Sequence, residues 1–250
     1  MEIMRIIVTN DDGIYSPGLA ALAKVAARFG TVQVVAPDVE QSSMGHAVTH
    51  SRPLSLKKSP IHFENGIEAF RVNGTPADCV ALGTHLWAKT DMVLSGINLG
   101  ANLGNAMWHS GTLAAAKQAV LLGITGIAFS TPAGKSEPDF EALDPFVEKI
   151  LELLMEHPDF GLYNVNLPPQ PRGIQWTRQS VRFYDGNIVP GIDPMGRKHY
   201  WFTVTPLEPA DEGTDRWAVE QGYVSITPLR LDLTNEEMLH KARSQAPVKP

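Results

Sequence analysis

The chain has almost no cysteine: Cys79 is the one thiol in 250 residues. No intrachain disulfide can form, and the composition points to a reducing compartment. Positive charge is also in short supply. Lys and Arg total 21 against 27 Asp and Glu, a formal charge of −6, which disfavours a surface for nucleic acid polymers. A small anion handled through a metal ion is compatible with that balance. Long apolar runs are missing, since no stretch approaches the roughly 18 uninterrupted apolar residues of a membrane span. The opening MEIMRIIVTN leads directly into Asp11-Asp12, unlike a signal peptide. A soluble cytoplasmic protein with no membrane partner is expected.

Several familiar chemistries lack their motifs. There is no G-x-x-x-x-G-K-[ST], which argues against a P-loop NTPase. Gly96, Gly100 and Gly104 are spaced four apart, not in the G-x-G-x-x-G pattern of a nicotinamide dinucleotide site. H-E-x-x-H, C-x-x-C and G-x-S-x-G are absent. Cys79 falls in a helical pattern and reads as a small buried hydrophobe.

Apolar runs alternate with helical patterns through the first two-thirds of the chain. Residues 3–9, 31–36, 67–72, 91–97 and 126–130 read as buried strands, and 164–167 as one more. Helices are expected from Ser16-Pro17 to Gly30, from Thr75 to about Lys89, over LAAAKQAVLLG and over residues 139–157. This rhythm predicts a doubly wound α/β sheet. From about residue 170 the pattern changes. Residues 174–179, 199–205 and 223–227 alternate as antiparallel strands would, and Thr234-Asn235-Glu236-Glu237 caps a short helix. The expectation is one domain: a core over about 1–170 and an extension over about 171–250. The extension has few apolar residues for a core of its own, so it packs on the sheet or on another subunit.

Polar clusters fall at strand ends, where open α/β sheets bind ligands. Asn10-Asp11-Asp12-Gly13 follows the first strand, and Ser42-Ser43-Met44-Gly45-His46 trails the second. Asn98, Gly100 and Asn102 follow a later strand, and His109-Ser110-Gly111-Thr112 opens a helix. Adjacent carboxylates repel, and a buried pair holds a proton unless a cation sits between them. A hard divalent cation resolves this, preferring carboxylate, amide and hydroxyl oxygens. A helix N-terminus with Ser and Thr hydroxyls is a ready anion site. Together they describe metal-assisted phosphoryl chemistry.

With VTNDDG, APD followed by SxxGH, NGTPADCV, SGINLGAN, HSGT and GYVSITPL standing in order, the sequence resembles the SurE family of 5′-nucleotidases over nearly its whole length. The resemblance implies a Rossmann-like, mostly parallel sheet. It also implies a C-terminal β-hairpin and helix extension exchanged between subunits in a homodimer or homotetramer. The implied activity is hydrolysis of nucleoside 5′-monophosphates, extending in some members to 3′-nucleotides and polyphosphate. One divalent cation per subunit, Mg²⁺ or Mn²⁺, is implied to sit on Asp11, Asp12, Ser42 and Asn98. The SxxGH spacing selects Ser42 over Ser43. Asn102, Ser110, Gly111 and Thr112 are expected at the phosphate. Asp11 or Asp12 is expected to orient or deprotonate the attacking water. His109 is left open between protonating the leaving alkoxide and orienting its loop. Two rival readings are an aspartyl-phosphate phosphatase, which usually carries D-x-D rather than adjacent acids, and a nucleotide-binding oligomer without turnover.

Overall fold

In the computed structural model, the β-branched run at the start forms β1 (Met4–Thr9), buried from Ile6 onward. The description covers residues 3–87, 89–134, 136, 138–156, 161–181, 184–206 and 209–245. Next come β2 (Gly30–Pro37), a short edge strand β3 (Leu56–Lys58), β4 (Glu68–Val72), β5 (Met92–Leu99), β6 (Thr125–Thr131) and β7 (Leu162–Asn166). Apart from β3, which pairs antiparallel to β4, these strands run parallel. Across the sheet they lie β4-β2-β1-β5-β6-β7. Strand order therefore reverses beside β1, between β1 and β5, which is where a doubly wound sheet opens its ligand crevice.

Helices cover both faces, so the strands are apolar on both. α1 (Pro17–Ala26) packs on α4 (Phe140–Glu156), and α2 (Pro76–Leu86) on α3 (Gly111–Leu121). Ile6 and Val8 of β1 meet Leu19, Leu22, Val147 and Ile150 in one cluster. Ile7 points the other way, to Val80, Val93, Ala115 and Ala119, as strand alternation requires. α2 starts on a complete capping box: Asp78 N donates to Thr75 Oγ1 at 3.2 Å, and Thr75 N donates to Asp78 Oδ2 at 2.9 Å. Asp78 also accepts from Thr49 N at 2.9 Å and Thr49 Oγ1 at 2.6 Å, tying in the loop after β2.

The C-terminal third is more integrated than its sequence suggests. β8 (Ile174–Trp176) and β11 (Val224–Leu229) complete a nine-stranded sheet, β11 antiparallel to β7 and β8 parallel to β11. The expectation of antiparallel pairing thus fails for residues 174–176, which run parallel to β11, and the isolated bridge from Arg178 to Thr214 beyond them is parallel as well. α5 (Asp215–Glu220) was not expected; Thr214 caps it by accepting from Trp217 N at 3.3 Å. β9 (Tyr184–Ile192) also escaped, its pattern interrupted by Gly186, Pro190 and Gly191. It pairs with β10 (Lys198–Pro206) in a separate antiparallel ribbon. α6 (Glu236–Gln245) begins within the expected Thr234–Glu237 cap, where Asn235 Oδ1 accepts from Met238 N at 2.9 Å and Thr234 bonds Asp232. No helix among the described residues is long and apolar enough to cross a membrane.

Candidate active site

The turn after β1 is built by Asn10. This fully buried side chain donates to Gly13 O at 3.1 Å and accepts from Gly13 N at 3.2 Å. The closure needs Gly13 at φ 94°, a left-handed conformation that side chains resist. It projects Asp11 and Asp12 from the end of β1 at the crevice. Gln41 N donates to Asp11 O at 2.7 Å and Ile14 N to Pro37 O at 2.8 Å, so the loop after β2 is fastened to the same turn.

Asp11 is buried against the N-terminus of α3. Thr112 Oγ1 donates to its Oδ1 at 2.7 Å. A Cβ on Gly111 would stand 2.8 Å from Asp11 Cβ and 2.9 Å from its Oδ2, so glycine is what allows the helix this close. Burial pushes the Asp11 carboxyl above its ordinary value, against the pull of Thr112 and the Gly111 and Thr112 N–H groups. Asp12 is raised to about 6 by burial first, then by the Asp11 charge, with Glu40 adding to it and the Leu99 N–H opposing. That N–H donates to Asp12 Oδ2 at 3.2 Å. No cation among the described residues offsets either acid.

A cavity of about 550 Å³ opens here, lined by Asp11, Ser42, Asn98, Asn102, His109 and Ser110, among others. Six of the nine residues expected from sequence thus share one space. Asp12 sits beside it on Leu99. Gly111 and Thr112 lie behind Asp11, and the Thr112 hydroxyl, expected at phosphate, is fully buried and engaged by the carboxylate. Ser110 Oγ accepts from Leu113 N at 3.0 Å, capping α3. Asn98 Nδ2 donates to Gly100 O at 2.7 Å, and its carbonyl oxygen accepts no hydrogen bond among the described residues. Ser42 donates to Glu40 at 2.7 Å, and Ser43, at φ 61°, also lines the cavity. Gly45 N donates to His109 O at 2.9 Å, joining two walls of the cavity.

Sequence reasoning missed the support beneath the 100–104 loop. Asn166 Oδ1 accepts from Asn102 N at 2.8 Å, and Asn164 and Asn166 amides donate to Asn102 O at 2.8 and 3.2 Å. Asn102 Nδ2 donates to Ser130 Oγ at 2.8 Å. Asp215, fully buried at the start of α5, accepts from Gly104 N at 2.8 Å and Ser180 N at 3.0 Å. The one available signal was Asn164 and Asn166 themselves, two amides on alternate positions of a strand that is otherwise apolar.

The donors present suit a hard divalent cation: two carboxylates, an amide carbonyl and a hydroxyl, all oxygen. The unbalanced charge of Asp11 and Asp12 is the observation that calls for one. Among the described residues no group of three or more His, Cys, Asp or Glu gathers in one place.

Fold and site define a doubly wound α/β protein with an oxygen-lined acidic pocket at the switch point. The family model described as survival protein SurE matches residues 6–186, and the chain belongs to the SurE family. It is 47% identical over 234 residues to a protein named 5′-nucleotidase SurE 1 from Thermus thermophilus, covering 92% of this chain and 93% of the relative. The 5′-nucleotidase SurE of Deinococcus radiodurans is 41% identical over 249 residues, covering 97% and 93%. The crystal structure of the SurE protein from Aquifex aeolicus superposes with a TM-score of 0.80 at 39% identity, covering 96% of this chain and 98% of that one.

Proposed function

We propose that this chain is a divalent-metal-dependent 5′-nucleotidase, which hydrolyses nucleoside 5′-monophosphates to nucleoside and phosphate. The observation that carries the reading is the pair of adjacent, uncompensated carboxylates Asp11 and Asp12 at the switch point. The names of the relatives, similar over more than nine-tenths of the chain, give the substrate class.

Asp11, Asp12, Ser42 and Asn98 would hold the metal, which when bound supplies a water of lowered pKa and neutralises charge on the phosphoryl oxygens. Thr112 and the N-terminus of α3 keep Asp11 in one rotamer. Asp12, held through a single N–H from Leu99, has an oxygen left to orient the attacking water. Asn102 and Ser110 face the phosphate from the cavity wall, and the asparagines of β7 hold Asn102 rigid. His109, exposed at the cavity, passes a proton to the leaving 5′-oxygen.

In the same reading the chain works as a homo-oligomer. Val189 and Trp201 of the ribbon are 45% and 66% exposed, and α6 is exposed at every described position but Leu239. These surfaces are proposed to bury against another copy. Phosphate release from AMP with Mn²⁺ or Mg²⁺, set against EDTA, tests the function. Asp11→Asn is expected to abolish metal-dependent release while folding normally; full activity in that variant rejects the assignment.

A further inference from the structure

The wall of the active-site cavity is not wholly polar, and part of it comes from far along the chain. Phe202 of β10 lines the cavity with Asp11, Ser42, Asn98, His109 and Ser110. It is the one Phe, Tyr or Trp in that lining among the described residues.

Nothing in the fold of the chain asks for the ring to be there. Phe202 is 71% exposed and belongs to the ribbon that stands apart from the main sheet. Its cross-strand partner is Ile188, and the pleat places Tyr200 on the same face and Trp201 on the other. Trp201 has an aromatic neighbour of its own, meeting the His199 ring edge-on with centroids 6.0 Å apart. Among the described residues Phe202 makes no ring contact, and it presents its ring at the cavity.

A cavity of about 550 Å³ is larger than a phosphate group needs and lies within the size range of small-molecule sites. Its polar groups suit a phosphoryl end. A flat apolar ring at its wall suits a flat aromatic end, because stacking on a base is strong and tolerant of which base is present. We infer that Phe202 stacks on the nucleobase of the substrate and so sets the preference for nucleotides over base-free phosphate esters; this rests on the hydrolytic reading above.

The test compares wild type, Phe202→Ala and Phe202→Trp on AMP and on ribose 5-phosphate, which keeps the sugar phosphate and lacks the base. Phe202→Ala should raise KM for AMP by about 5- to 100-fold, the scale of one base–aromatic stack. It should shift KM for ribose 5-phosphate less than about twofold, and Phe202→Trp should restore the AMP value. Equal losses on both esters would mean that the ring shapes the site generally, and would overturn the inference. An unchanged AMP KM would overturn it too, including the case where the variant only alters oligomeric state by size-exclusion chromatography. AMP binding by calorimetry separates this from the hydrolytic reading. If wild type releases phosphate from neither ester yet AMP affinity still falls in Phe202→Ala, stacking stands and hydrolysis fails; if wild type does not bind AMP, both fail.

Discussion

Thr112 donates its hydroxyl to Asp11 Oδ1 at 2.7 Å, across 101 positions of sequence and with both residues buried. The bond gives the first acid of the pair a fixed rotamer at the switch point of the sheet. A metal ligand fixed in this way depends on the group that orients it, and losing such a partner typically costs about 10- to 100-fold in metal affinity. Thr112→Val keeps the volume and removes the donor. Its Mn²⁺ affinity, measured by calorimetric titration, is expected to fall by about that factor. Thr112→Ser, which keeps the hydroxyl, should stay near wild type.

Metal binding should be linked to protons around pH 6. Asp12 without metal is raised to about 6, and Asp11 is raised as well. At pH 6 about half of the Asp12 side chains carry a proton, which a cation must expel. Mn²⁺ binding is therefore expected to release protons at pH 6 and few from Asp12 at pH 8, with affinity weakening as pH falls. Calorimetry in two buffers of different ionisation enthalpy measures this directly. The sign for stability follows. Carboxyls raised by the fold favour the folded state at low pH, and that contribution is lost as pH rises from the ordinary value of 3.8 toward 6. Divalent metal should thus raise the melting temperature of EDTA-treated protein more at pH 7.5 than at pH 5.

The opposite sign is expected at Asp78, in the capping box of α2 and outside the cavity lining. Burial pushes this carboxyl up, but the hydrogen bonds from Thr49 and Thr75 outweigh it and hold it below the ordinary value. Its stabilisation is complete above pH 3.8 and is lost as pH falls through the lower folded value. Asp78→Ala removes the capping box and both bonds to Thr49, and should destabilise by about 2–4 kcal/mol in urea unfolding. Activity per folded molecule should be unchanged.

Much of this was legible because its signals are local. The β-branched runs around Ile6–Val8 and Val93–Leu94, and the capping box at Thr75, are decided within a few residues. So is the turn from Asn10 to Gly13 that projects the two acids, whereas their grouping with Ser42 and Asn98 came from the family resemblance. Two kinds of information were not local. Thr112 reads as a phosphate ligand or an N-cap, and only the approach of α3 to β1 shows its hydroxyl committed to Asp11. The support of the 100–104 loop by Asn166 and Asp215 spans 64 and 111 positions, so no spacing rule reaches it. β9 was missed for a different reason: Pro190 and Gly191 interrupt its alternation, and its pairing with β10 carries it anyway.

Gly111 offers the sharpest separation of site from fold. It opens α3, where alanine is ordinarily favoured over glycine by about 1 kcal/mol. An added Cβ, however, would stand 2.8 Å from Asp11 Cβ and 2.9 Å from its Oδ2, a separation that real Cβ atoms do not tolerate. Asp11 cannot yield easily, because Thr112 holds it from one side and the Asn10–Gly13 turn fixes its backbone. Gly111→Ala should therefore fold, with a circular dichroism spectrum like wild type, because the gain in helix propensity offsets part of the local strain. The misplaced carboxylate should cost about 100-fold or more in phosphate release and weaken Mn²⁺ binding in parallel. Wild-type activity in a folded Gly111→Ala would show that Asp11 does not need its observed position, and the assignment of Asp11 as the anchor of the site would have to be given up.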